Sequence, residues 1–261
     1  MLFEGLPNEG PMLVLFVAPY FTENAKLYLD YVTRHARVLL ITQDEPALLP
    51  PELRSRIVRA ERVGDALDKG QLVAAANELQ RLEGPAAQLL GVVEQLQVPL
   101  AEAREQLNLP GMQPNEALNF RDKTRMKELL RQAGLPVARF RLVDTTEGAL
   151  RFAAEVGYPL VVKPPAGAAS QATFFAHDEA VLRSALALAS AEARGAVLLE
   201  ELVTGQEHSF DAFVRDGQLL FYSVSNYLPS CLEVMRNPWM QWVVVLPREH
   251  QSQDIADRSE E

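Results

Sequence analysis

Met12-Leu13-Val14-Leu15-Phe16-Val17-Ala18 is an unbroken apolar run near the start of a 261-residue chain. A run this continuous reads as a buried strand, and the signal returns at Ala36-Arg37-Val38-Leu39-Leu40-Ile41-Thr42. Between the two lies a helical stretch from Thr22, a residue suited to capping, to Arg34. Arg56 to Ala60, a helix from Lys69 to Glu83 and the segment Ala86 to Val93 continue the alternation. Strand–helix–strand order favours an open parallel sheet with helices on both faces, a Rossmann-like arrangement. Pro19, Tyr20 and Phe21 follow the first strand where a dinucleotide-binding chain would carry G-x-G-x-x-G, so that function is unsupported. The opening run is too short to span a bilayer and follows Glu4 and Glu9 rather than a basic segment. A soluble, cytoplasmic protein is expected.

Pro99, Pro110-Gly111 and Pro114 punctuate the next stretch around a short helical segment, Leu100 to Leu107. This reads as a linker, which divides the chain into residues 1–114 and 115–261. Beyond it, Met126, Leu129, Leu130 and Ala133 follow the i, i+3, i+4, i+7 spacing of a one-sided helix ended by Gly134 and Pro136. Lys123 falls at the edge of that apolar stripe, so its ammonium can reach a partly enclosed space. It suits a phosphate-binding point charge, although a lysine snorkelling at the rim of a core helix would look the same. The other basic residues of this helix, Arg121, Arg125 and Lys127, read mostly as a solvated face.

Tyr158-Pro159-Leu160-Val161-Val162-Lys163-Pro164 is a short, continuous apolar strand stopped by proline. An unpaired ammonium at its end would be costly to bury, so Lys163 needs an anionic partner. No carboxylate is close in sequence, which leaves a distant one or a ligand phosphate. A loop of small residues follows, Ala166-Gly167-Ala168-Ala169-Ser170-Gln171-Ala172, through which backbone N–H groups could approach phosphate oxygens. Tight hairpins share that composition. Val197 to Glu201 is another buried strand running into two carboxylates, Glu200 and Glu201, then Leu202, Val203 and a Gly205 turn. The strand after it alternates Glu207, Ser209, Asp211 and Phe213 on one side, and Asp216-Gly217 closes a hairpin.

These segments together resemble the ATP-grasp superfamily of carboxylate–amine ligases. The likeness lies in Arg121-Asp122-Lys123 with Met126 and the Ala133-Gly134-Leu135-Pro136-Val137 turn, in Tyr158 to Pro164, and in Glu200-Glu201-Leu202-Val203 with Gly205-Gln206-Glu207. The fold class the resemblance implies is α/β. The N-terminal sheet domain would help form the carboxylate pocket. It would be followed by an α+β ATP-grasp domain with a small lid, residues 137–201, and a C-terminal subdomain, 202–261, that is incomplete. By the same resemblance Lys123 and Lys163 hold the nucleotide phosphates, and the loop with Gly167 and Ser170 closes over them. Glu200 would accept from the adenine amino group, the backbone of Glu201, Leu202 and Val203 would read the adenine edge, and Glu207 would bind the ribose hydroxyls.

Two departures stand out. The loop has one glycine and carries Gln171 where relatives commonly have a lysine or arginine. The magnesium of such enzymes sits on acidic residues and an asparagine from later strands. This sequence reaches Glu261 before any such segment, so no metal ligand and no catalytic residue is nominated, and Asp254 and Asp257 read as an exposed helix start. The leading expectation is an ATP-dependent ligase that activates a carboxylate as an acyl phosphate for attack by an amine, releasing ADP and phosphate. A non-catalytic ATP-binding fragment and a carboxylase-type enzyme are the alternatives.

A formal charge of −10 argues against a nucleic-acid partner or an acidic membrane surface. The single cysteine, Cys231, excludes an intrachain disulfide or a cysteine-based zinc site, and the four histidines lack ligand spacing. The Trp239, Trp242 and Val243-to-Leu246 region reads as a buried strand, with a homodimer interface as the other use.

Overall fold

A computed structural model describes residues 11–166, 173–193, 195–215, 217–237 and 239–247. The chain divides into two compact units, Met1–Leu202 and Val203–Glu261.

The first unit opens with β1 (Leu13–Val17), α1 (Glu23–His35), β2 (Arg37–Thr42), α2 (Pro51–Ser55), β3 (Ile57–Arg62), α3 (Lys69–Glu83), β4 (Gln88–Gly91) and α4 (Gln97–Leu107). The strands form a parallel sheet in the order β3-β2-β1-β4, as the alternation of apolar runs and helices predicts. Successive strand residues point to opposite faces, so each apolar run feeds two cores. Leu13, Leu15, Val17, Leu39, Ile41 and Leu89 pack with α3 and α4, while Val14, Phe16, Val38 and Leu40 pack with α1 and α2. This is why the runs lack polar alternation. Thr22 caps α1 by accepting from the Ala25 N–H at 3.1 Å.

Two helices follow, α5 (Pro114–Arg121) and α6 (Lys123–Gln132). The pattern beginning at Asn119 suggests one helix, but the chain breaks at Asp122, whose backbone is extended at φ −98°, ψ 110°. Its carboxylate accepts from the N–H groups of Thr124 at 2.8 Å and Arg125 at 3.2 Å. Aspartate is a far better cap than a helix-interior residue, so the helix restarts there. Lys123 thereby becomes the first residue of α6.

The remainder of the unit is β5 (Phe140–Val143), α7 (Thr146–Val156), β6 (Leu160–Lys163), β7 (Phe174–Ala176), α8 (Glu179–Ala193) and β8 (Val197–Glu201). The strands pair antiparallel in the order β5-β8-β6-β7. One face packs on α7 and α8 through Val143, Phe152, Leu160, Val162, Leu182 and Leu199. The register sets Phe140 and Val161 opposite Glu200, and Leu142 and Lys163 opposite Leu198, so these residues share the other face.

The second unit contains β9 (His208–Arg215), β10 (Gln218–Leu228), α9 (Cys231–Arg236) and β11 (Val243–Val245), and its three strands form one antiparallel sheet ordered β11-β10-β9. Arg215 pairs with Gln218, and Gly217 takes φ +74°, a value that suits the expected tight hairpin and favours glycine. Asp216 lies outside the described residues. The strand expected near Val243 forms, but at the edge of the sheet. Val243, Val244 and Val245 are exposed rather than buried, as are Trp239 and Trp242. Among the described residues no helix is long and apolar enough to cross a membrane.

Candidate functional site

The face of the β5-β8-β6-β7 sheet turned away from α7 and α8 carries a buried carboxylate between two ammonium groups. Glu200, 8 % exposed, receives Lys163 Nζ at 2.7 Å on Oε2 and Lys127 Nζ at 3.2 Å on Oε1. The first contact follows from the ladder. Val161 is the cross-strand partner of Glu200, and Lys163 lies two residues on, its diagonal neighbour on the same face. The second contact spans from the strand to α6, where Lys127 also stands 5.8 Å from the centroid of the Phe140 ring. Lys127 is within ion-pair distance of Oε1 without the alignment of a hydrogen bond, and that buried oxygen accepts none among the described residues. Lysine side chains at 14 % and 20 % exposure leave this cluster mostly out of water.

Lys123 joins the same region through the backbone. Its N–H donates to Pro165 O at 2.9 Å, fastening the start of α6 to the chain just beyond β6. Partial burial holds the Lys123 ammonium below its usual pKa of 10.5, and the charges of Lys163 and then Arg121 push in the same direction, opposed by Glu94 and Glu200. Arg121 in turn reaches Glu94 at 3.3 Å. Four cationic and two anionic side chains thus meet within a chain whose formal charge is −10. The surplus is positive and local, the electrostatic condition for an anion site.

Glu201 is held differently. Arg139 donates to it twice, from its backbone N–H to Oε1 at 2.7 Å and from Nε to Oε2 at 2.6 Å. The backbone and side-chain bonds from Arg139 hold the Glu201 carboxyl below the ordinary carboxylate range. The Glu201 N–H is also committed, donating to Arg139 O at 3.0 Å. Leu202 is half-buried and Val203, which begins the second unit, is 68 % exposed. Glu207 belongs to the second unit, where its Oε2 accepts from the Cys231 N–H at 2.8 Å. Burial, followed by the nearby Glu207 charge, raises the Cys231 thiol pKa. Gly167 and Ser170, expected in the phosphate loop, lie outside the described residues, as do Asp254 and Asp257.

The structure therefore brings Lys123, Lys163 and Glu200 to one region of the first unit. It also adds two residues that the sequence reading passed over. Lys127 was expected on a solvated face, and the signal that could have found it is its i+4 spacing from Lys123, which puts both on one side of α6. Arg139 has no local motif, because its partner Glu201 is distant in sequence. Two cavities of about 300 Å³ and about 520 Å³ are lined in part by Leu89, Gln97 and Arg104 and by Arg131, Arg139 and Phe152, and neither is lined by Lys123, Lys127 or Lys163.

Residues 122–226 match the family described as carbamoyl-phosphate synthase L chain, ATP binding domain. The matched segment begins at the Asp122 cap and includes Lys123, Lys127, Lys163 and Glu200. A phosphoribosylamine–glycine ligase of Lactococcus lactis is 34 % identical over 93 residues, 36 % of this chain and 23 % of that protein. An L-arginine-specific L-amino acid ligase of Bacillus subtilis is 26 % identical over 157 residues, 58 % of this chain and 38 % of that protein. The chain thus spans well under half the length of these relatives. Among solved structures, an L-amino acid ligase from Bacillus licheniformis shares the fold with a TM-score of 0.67 at 20 % identity, covering 95 % of this chain and 58 % of that one.

Proposed function

We propose that this chain is the nucleotide-binding portion of an ATP-dependent ligase that joins a carboxylate to an amine. The observation that carries the reading is the convergence of Lys123 and Lys163, one at a helix start and one at a strand end, on the same part of the first unit as the buried Glu200. Lys123 and Lys163 are assigned to the polyphosphate. Lysine ammoniums supply compact positive charge to phosphate oxygens, and a desolvated Lys123 gains stability from each anion brought to it. Glu200 is assigned as acceptor for the purine amino group through Oε2, the oxygen that Lys163 holds in the absence of nucleotide. With the Glu201 N–H already engaged by Arg139, edge reading of the base is assigned to the Glu201 carbonyl and the backbone of Leu202 and Val203.

In the reaction we assign, a substrate carboxylate oxygen attacks the terminal phosphorus of ATP and ADP leaves. The amine nitrogen then attacks the acyl carbon, phosphate departs, and the nitrogen loses a proton. The lysines lower the first barrier by offsetting charge on the phosphoryl group in transit. Similarity to an amino acid ligase and to a phosphoribosylamine–glycine ligase supports the carboxylate-plus-amine chemistry. Magnesium would accompany the nucleotide. Among the described residues no group of three or more His, Cys, Asp or Glu is placed to hold it. We also assign residues 115–261 to the ATP-grasp domain and 137–201 to its lid.

The test is calorimetry with a non-hydrolysable ATP analogue. Lys163→Met is expected to weaken affinity by more than about tenfold, the loss of one strong charge contact. Unchanged affinity rejects the phosphate role.

A further inference from the structure

We propose that Lys127 is a positioning residue of the nucleotide site, acting as the resident counter-ion of Glu200 so that Lys163 can turn from that carboxylate to an incoming polyphosphate. The inference rests on the nucleotide reading above and adds a residue to it. A single buried carboxylate bridges two ammoniums, with Lys163 on one oxygen at 2.7 Å and Lys127 on the other at 3.2 Å. If Lys163 were the sole partner, engaging phosphate would strip Glu200 of its counter-ion while it remained out of water, and that penalty would be charged against binding. A second ammonium on the opposite oxygen removes the conflict.

The geometry separates the two lysines by role. Lys163 ends a strand and stands just before the Pro164-Pro165 corner to which the start of α6 is fastened, the side on which Lys123 lies. Lys127 lies one helical turn further along α6, over the Phe140 ring, which occupies the position opposite Glu200 on β5. The ring holds the ammonium against the carboxylate by cation–π attraction and covers it. Lys127 is the less exposed of the pair, at 14 % against 20 %. Lys127 is thus the fixed charge and Lys163 the transferable one.

The test is a double-mutant cycle on the 261-residue chain, reading affinity for ADP and for adenosine by calorimetry, with circular dichroism to confirm folding. Lys127→Met is expected to weaken ADP binding about tenfold or more while adenosine affinity stays within about threefold, because only the phosphates compete for Lys163. In a Glu200→Gln background, where no carboxylate needs a counter-ion, the same substitution is expected to change ADP affinity less than about threefold. Lys127→Arg keeps the charge and is expected to bind ADP within about threefold of the unsubstituted chain. Equal losses in both backgrounds, losses shared by adenosine and ADP, or no loss at all overturn the proposal. If Lys127→Met alone does not fold, Lys127→Arg and the Glu200→Gln pair carry the decision by the same limits. Failure of the unsubstituted chain to bind ADP would instead overturn the nucleotide reading.

Discussion

Glu200→Gln removes one charge and almost no volume, so its effect isolates the electrostatics of the buried cluster. At an effective dielectric of about 20, contacts of 2.7 and 3.2 Å correspond to attractions of about 6 and about 5 kcal/mol. Desolvating three ions offsets most of that, at several kcal/mol each before pairing. Removing one member of a buried pair nevertheless costs about 3–5 kcal/mol, because the partners stay behind uncompensated. Here the two lysine side chains retain 14 % and 20 % exposure and can turn their heads toward water, which reduces the expected loss to about 2 kcal/mol. For a chain of this size that lowers the melting temperature by about 4–8 °C. Thermal unfolding followed by circular dichroism reads the shift, and calorimetry with tripolyphosphate reads the release of Lys163 as tighter binding. A melting temperature unchanged within about 1 °C, together with unaltered tripolyphosphate affinity, would refute the buried three-member ion cluster.

If Lys123 holds the polyphosphate as proposed, nucleotide binding is expected to depend on pH. The Lys123 ammonium loses its proton below the usual 10.5 in the free protein, and a bound polyphosphate raises that pKa again, so binding takes up a proton. ADP affinity is therefore expected to fall as pH rises through the depressed pKa, and Lys123→Met to flatten the profile; a slope that persists in the variant contradicts the assignment. Asp122→Ala removes the two bonds that start α6 and is expected to cost about 1 kcal/mol, measured by urea unfolding. Gly91→Ala would set a methyl group 2.7 Å from Leu100 Cδ1, 3.1 Å from Leu96 Cδ1 and 3.3 Å from the Val17 carbonyl oxygen. Overpacking of this kind is expected to destabilise by about 1–3 kcal/mol, visible as a lower melting temperature.

The parallel sheet was readable because its apolar runs and helix caps are local signals, Thr22 and the Lys69–Glu83 helix among them. The break at Asp122 was less so, since the same residue satisfies both a continuing charge pattern and a cap, and only backbone geometry decides. In the site, Lys163 advertised itself by ending an apolar strand, but the partner that its charge requires is supplied by a strand far along the chain. Cross-strand register brings that partner in, and register is not written in any one segment. Lys127 remained hidden for a related reason. Its burial comes from β5 and β8, so its own helix, rich in charge, looked solvated.

The joint between Lys123 N–H and Pro165 O has a consequence for selectivity. Two positive groups borne on different elements are kept in step by main-chain atoms, as the jaws of a gauge are kept by its frame. On the phosphate role proposed for both lysines, a chain of linked phosphates is expected to be favoured over a single one, because it can engage both jaws at once. Since the acceptor is a carbonyl, the residue at position 165 can change identity while the gauge keeps its setting.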